Sequence, residues 1–286
     1  MQHRVVTILS SNYAGSHFLS LLIGSHTRAE HIGEIKHLRK PHSWRMRQYC
    51  KICDDQGKCP LQRSIDPERL DNIYQQIFAN FGGETSLLVD ASKKWSWAAR
   101  FADDKRIGHH YIHLLRDPRA LVRRWEKTYG EQKKHLDQRW KVLGRSRQQA
   151  LPLLFARRHR IYLEKWLQQN REISHFLQGK NLNYRVMSYR DLARDPAREL
   201  TPVMAWLGFD FEPAQIEYWR QPHHGSRKYQ YDWVEKQQVT GHFDLRWKRE
   251  LPTATAESIA GNPRLQDYLS KQGLRLADDG LTRHGV

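Results

Sequence analysis

The chain has 286 residues, is 39% hydrophobic, and carries a formal net charge of +17 from 48 Lys and Arg against 31 Asp and Glu. That length and apolar content suffice for one large α/β domain, and the cation excess implies an acidic partner: a nucleotide, an anionic glycan, nucleic acid or a membrane surface. The apolar runs are too short for a bilayer span, residues 1–8 lack the plan of a secretory signal, and three cysteines bunched between Cys50 and Cys59 exclude a disulfide framework, so a cytoplasmic location is expected.

Val5, Val6, Ile8 and Leu9 form the β-branched, largely apolar run of a central parallel strand. Ser10 to Ser16 then supply small side chains, hydroxyls and a glycine, Gly15, that tolerates close backbone approach. A helix follows, with Phe18, Leu21 and Leu22 at helical spacing and Gly24 placed to end it. Its first turn would point unpaired N–H groups and a positive dipole end at the loop, a site for phosphate or sulfate. An ordinary strand-to-helix turn is the competing reading.

Ala29–Ile35 is a short extended piece ending in Gly33-Glu34. From Lys36 to about Pro67 the apolar periodicity disappears and His37, His42, Cys50, Cys53 and Cys59 accumulate, which marks an insertion with local order of its own. Cys50-x-x-Cys53 with Cys59 is a partial metal signature that His42 or His37 would complete as a tetrahedral structural zinc site; three reduced thiols in a loop are the alternative. Leu70, Ile73, Ile77 and Phe81 give a helix closed by Gly82-Gly83, and Leu87–Val89 form a strand that leads into Asp90-Ala91-Ser92-Lys93. Helical Trp95–Phe101 comes next.

Tyr111–Leu115 is a strand running into Arg116-Asp117-Pro118-Arg119, where Asp117 can cap a helix and Pro118 suits its first position. The segment 130–149 is polar and basic and reads as solvated helix or loop. One long helix is expected over Leu151–Leu177, then a strand over Tyr184–Met187 and an Asp195-Pro196 helix that finishes at Gly208. Strands alternating with helices predict a three-layer α/β/α fold with a central parallel sheet, whose ligands collect at the carboxyl ends of the strands.

Four strand ends thus place polar groups on one edge: the Tyr13–His17 loop, Glu34, Ser92-Lys93 and Arg116. Read in this order, most of the chain resembles the sulfotransferases that use 3′-phosphoadenosine-5′-phosphosulfate (PAPS), whose fold is related to the P-loop nucleotide-binding enzymes. Tyr13-Ala14-Gly15-Ser16-His17 occupies the place of that family's 5′-phosphosulfate loop, with Phe18 opening the helix. Arg116-Asp117-Pro118-Arg119 is similar to the second signature, whose arginine holds the 3′-phosphate. Val89-Asp90-Ala91-Ser92-Lys93 resembles the strand that brings a lysine to the sulfonate. Tyr189-Arg190-Asp191-Leu192, Asp195-Pro196 and Trp206-Leu207-Gly208 are similar to motifs of the family's C-terminal half. His223–Lys228, with Gly225, Ser226, Arg227 and Lys228, stands where a basic loop closes over the nucleotide, and Asp244–Leu251 resembles the tryptophan-bearing helix start after it.

The resemblance implies a single sulfotransferase domain over 1–286 with an insertion at 36–67, and PAPS as co-substrate. The acceptor would be a hydroxyl of a glycan, lipid or small molecule. Glu34 is the implied general base, with a pKa expected to be raised by burial; Lys93 would bear on the sulfonate, and His17 and His31 are reserve bases. Three departures stand out: Tyr13 replaces a usual loop cation, Arg124 replaces a serine eight positions after Arg116, and Arg190 replaces a usual Glu. Two other readings remain. The basic run 116–147, with Trp125, Tyr129 and Trp140, has charge and stacking groups for nucleic acid or an anionic surface. A P-loop kinase is the other, and the missing G-x-x-x-x-G-K-[ST] argues against it.

Overall fold

The computed structural model describes residues 2–39, 53, 59–61, 65–66, 68–145, 150–224 and 243–284. In chain order they form β1 (Arg4–Ser10), α1 (Ser16–Gly24), β2 (Ala29–Gly33), α2 (Ile73–Phe81), β3 (Leu87–Lys93), α3 (Trp95–Ala98), β4 (Gly108–Leu115), α4 (Pro118–Thr128) and α5 (Gln132–Leu143). There follow α6 (Ala150–Leu154), α7 (Arg158–Gly179), β5 (Tyr184–Ser188), α8 (Tyr189–Arg194), α9 (Pro196–Leu207), α10 (Trp247–Glu250), α11 (Thr253–Ala260), α12 (Pro263–Lys271), β6 (Leu274–Ala277) and β7 (Gly280–Arg283). Strands β1–β5 make one parallel sheet in the order β2-β3-β1-β4-β5.

Alternation along β1 shows why it is central. Val6 and Ile8 pack against α1 and α9 through Phe18, Leu22, Leu200 and Leu207. Val5, on the other face, joins α2 through Ile73 and Ile77, and Leu9 joins α7 through Ile173 and Leu177. A strand apolar on both faces must have helices on both faces, and a parallel sheet meets that need. All five carboxyl ends then lie on one edge.

Helix starts follow their capping residues. The Asp117 carboxylate accepts from the Arg119 N–H at 2.7 Å with Pro118 next, and Asp195 accepts from the Arg198 N–H at 3.0 Å with Pro196 next. Gly208 ends α9 with φ +81°.

Two of the helix expectations change. The long helix over 151–177 is two helices, α6 and α7, because the Arg139 guanidinium takes the carbonyls of Leu154 and Ala156 that a continuous helix would have used. The basic 130–149 segment, expected as solvated helix or loop, contains the mostly exposed helix α5, which buries His135, Val142 and Leu143. Helical Trp95–Phe101 is shorter, α3 ending at Ala98. The antiparallel β6–β7 pair has no counterpart in the sequence reading, and it accounts for Arg190. That guanidinium donates to Asp279 at 2.7 and 2.9 Å, to Asp191 at 2.9 Å and to Thr282 Oγ1 at 3.1 Å, holding the hairpin against α8. Among the described residues no helix is long and apolar enough to cross a membrane.

Candidate active site

After β1 the backbone turns sharply, with Tyr13 at φ +70° and Gly15 at φ +99°. Gly15 is the residue before α1, and among the described residues no side chain caps that helix start. Ser16, in the first turn, has a buried Oγ with no hydrogen-bond partner among the described residues. An uncapped start and an unsatisfied buried hydroxyl together favour an anion there. The loop itself is held firmly: Ala14 N–H donates to Ser11 O at 3.2 Å, and Asn170 Nδ2 donates to Ser11 Oγ at 3.3 Å. Phe18 lies in the core against Tyr189 and Tyr218, so only its backbone belongs to the polar turn.

A Cβ at Gly15 would stand 2.2 Å from the Tyr189 ring, on a backbone that L-residues resist. Gly15→Ala is therefore expected to lower stability by about 1–3 kcal/mol, measured by denaturant titration.

Glu34 and Lys93 meet because both strands before them are irregular. The β2–β3 pairing slips between His31 and Gly33, the β1–β3 pairing slips between Thr7 and Leu9, and Lys93 itself has φ +67°. The Glu34 carboxylate accepts from Lys93 Nζ, from Lys36 Nζ at 2.5 Å, from His17 Nε2 at 3.2 Å and from His37 Nε2 at 3.3 Å. Its side chain is only 11% exposed. Burial alone would raise its pKa, but hydrogen bonds from His17 and His37 and the charges of Lys93 and Lys36 hold it well below the carboxylate range. This reverses the expected upward shift. His37, offered as a zinc ligand by the sequence, serves this carboxylate instead.

Ser92 supports the cluster from below. Its Oγ accepts from the Lys36 N–H at 3.0 Å and its carbonyl from Lys36 Nζ at 2.6 Å. Asp90, fully buried, accepts from Tyr74 Oη at 2.8 Å, Trp97 Nε1 at 2.8 Å and the Ser92 N–H at 2.7 Å, so it pins the turn that presents Lys93. Its pKa is raised by burial. His31 is buried, shares a hydrogen bond with Ser20 Oγ at 2.6 Å, and is pushed well below the usual imidazole range by burial and by His223 and His17. The ring is thus kept neutral, packed edge-on between His17 and His223.

Arg116, at the end of β4, donates to the Tyr13 carbonyl at 2.9 Å and to Asp244 Oδ2 at 3.1 Å, and its guanidinium lies 4.5 Å from the Tyr189 ring centre. Arg124, one helical face further on, stacks on the Tyr13 ring at 4.9 Å. Both signature-region cations therefore flank the loop. Arg119 turns away to Asp117, to the Ala277 carbonyl and over Trp247. Burial would raise the Asp244 pKa, but Arg246 and Arg116 hold it below the ordinary carboxyl range. Nothing local in Asp244-Leu245-Arg246 points to a partner 128 positions earlier, so the sequence does not reveal this pairing.

Gly225, Ser226, Arg227 and Lys228 lie outside the described residues, as do Cys50 and His42. Cys53 and Cys59 are described, and both face His224, which the sequence reading did not connect with them. Of the three rings in the basic run only Trp140 is exposed, at 65%; Trp125 is fully buried, Tyr129 is half-buried, and Lys165 Nζ covers both of these, so no continuous stacking ladder forms among the described residues.

No protein-family model and no curated protein matches the chain. Among solved structures the chain is similar to the sulfotransferase domain from the curacin biosynthetic pathway, with a TM-score of 0.53 and 15% identity, covering 90% of this chain and 96% of that one. The sulfotransferase domain of the Synechococcus PCC 7002 olefin synthase gives a TM-score of 0.48 at 17% identity, covering 92% and 97%. A sulfotransferase from Alicyclobacillus acidocaldarius gives 0.47 at 15%, covering 94% and 97%. The architecture is thus a parallel α/β sheet flanked by helices, as in the curacin domain. The chain has the sulfotransferase fold.

Proposed function

We propose that the protein is a PAPS-dependent sulfotransferase, a single catalytic domain that moves a sulfonate to the hydroxyl of a glycan, lipid or small-molecule acceptor. The observation that carries the proposal is the meeting, at one sheet edge, of an uncapped helix start holding an unsatisfied Ser16 hydroxyl with the Glu34–Lys93 pair and with Arg116. The first-turn N–H groups and Ser16 Oγ match the oxygens of a phosphosulfate. Arg116, with Arg124 beside it, supplies the planar donors suited to a 3′-phosphate, which would compete with Asp244 for them.

PAPS supplies the sulfonate, whose bond to the phosphate oxygen breaks as the acceptor oxygen bonds to sulfur; the electron pair leaves with adenosine 3′,5′-bisphosphate. Glu34 takes the acceptor proton. In the resting protein its cations keep it ionised but weakly basic. Lys93, drawn toward charge building on the bridging oxygen, would release Glu34 Oε1 and so restore basicity where it is needed.

Calorimetry tests the donor. Adenosine 3′,5′-bisphosphate is expected to bind at least about 10- to 100-fold more tightly than AMP, the worth of a charge-assisted contact to one more phosphate, and Arg116→Ala should remove most of that preference. Equal affinities in the parent protein would overturn the proposal.

A further inference from the structure

Cys53 and Cys59 belong to the segment between β2 and α2, whereas His224 follows the 3₁₀ helix Pro213–Arg220, 165 and 171 positions away. In space they converge. Cys53 Sγ lies 3.4 Å and Cys59 Sγ 3.8 Å from His224 Nδ1, and the three atoms all lie within 4.8 Å of one another. A single ring nitrogen has one proton or one lone pair in its plane and serves one thiol as a hydrogen-bond partner, yet two sulfurs stand at nearly equal distances from it. A cation between them serves all three. Zinc–sulfur bonds of about 2.3 Å and a zinc–nitrogen bond of about 2.0 Å at a tetrahedral angle separate sulfur from nitrogen by about 3.5 Å, between the two observed distances.

We propose that Cys53, Cys59 and His224 are ligands of a structural zinc ion that fastens the 36–67 insertion to the segment after Pro213–Arg220. Two thiolates and an imidazole are soft donors that select zinc over magnesium or calcium. The donors are also pre-positioned by packing. Cys59 is fully buried and Cys53 partly so, both against the apolar cluster of Ile73 and Ile77 on α2. Asn80 Nδ2, also on α2, donates to the Pro60 carbonyl at 3.0 Å. The His224 ring meets Phe81 of the same helix edge-on at 5.4 Å between centroids. Its neighbour His223 is anchored within hydrogen-bond distance of the Tyr218 carbonyl, at 2.7 Å, and of Ser25 Oγ, at 3.3 Å. Helix α2 therefore carries one side of the clasp and meets the other. Such an ion explains how an insertion without apolar periodicity gains a fixed attachment, and it brings in His224, an imidazole ligand the sequence did not suggest, while His37 is engaged by Glu34.

The test is independent of the catalytic proposal. Protein purified without chelator is expected to hold about one zinc per chain, and cobalt exchanged into it should show a thiolate-to-cobalt charge-transfer band. His224→Ala should weaken zinc at least about 10- to 100-fold in competition with a chromogenic chelator. Should His224→Ala or Cys59→Ser fold poorly, the parent protein stripped by dialysis against chelator is melted with and without added zinc, and a raised midpoint on zinc addition is expected. Less than about a tenth of an equivalent of zinc together with no cobalt band would show a thiol–imidazole contact only and overturn the proposal. So would parental zinc affinity in a folded His224→Ala.

Discussion

Glu34→Gln is expected to bind the donor nucleotide within a few-fold of the parent while transferring its sulfonate about two to four orders of magnitude more slowly. Glutamine keeps the side-chain length and an acceptor oxygen for Lys93 or His17, so the cluster of Lys36, Lys93, His17 and His37 retains a centre. What disappears is basicity. Single-turnover rates measured beside calorimetric affinities separate the two effects. The pH profile separates Glu34 from its hydrogen-bonded neighbour His17. With the Glu34 carboxyl held far below its ordinary range, the free-enzyme base stays ionised through mildly acid pH and kcat/KM should show no limb from it there. An imidazole base would instead bring an acid limb to that profile. A near-parental rate in Glu34→Gln, with such a limb in the parent, would transfer the role to His17.

The sign of that pKa shows where local reading stops. Glu34 could be placed at a strand end from Gly33-Glu34 alone, because strand termination is a local event. Its proton affinity is set by Lys36 and His37 on the next turn, Lys93 from β3 and His17 from α1. No spacing rule predicts that four donors converge on one carboxylate. Capping behaves oppositely: Asp117-Pro118 and Asp195-Pro196 carry their whole mechanism within three or four residues, so their helices start where the sequence says. The expected unbroken helix over 151–177 failed for the first reason again, since the break depends on Arg139 reaching across from α5. Asp244, His224 and the β6–β7 hairpin share that property. Each matters through a partner far along the chain: Arg116 for Asp244, the two cysteines for His224, and Arg190 for Asp279 of the hairpin.

Removing the ammonium at position 93 should have an effect of different shape. Lys93→Ala is expected to weaken binding of the sulfonated donor about 10- to 100-fold, the worth of one charged hydrogen bond, and to slow transfer by a further 10²- to 10³-fold, roughly the cost of losing one preorganised donor at a developing charge. Affinity for adenosine 3′,5′-bisphosphate, which lacks the sulfonate, should change less. The loss also takes one cation from Glu34, leaving Lys36, His17 and His37 to hold it. Lys93→Gly gives a second, independent reading of the same residue. Both variants lack the charge, but only glycine accepts φ +67° without strain, so Lys93→Gly should be more stable than Lys93→Ala by about 1 kcal/mol while equally poor in transfer. Strain retained at a non-glycine residue at the end of β3 makes sense only if its side chain must be there. Parental transfer by Lys93→Gly would remove Lys93 from the chemistry and leave Lys36, the other ammonium on Glu34, as the cation to replace next.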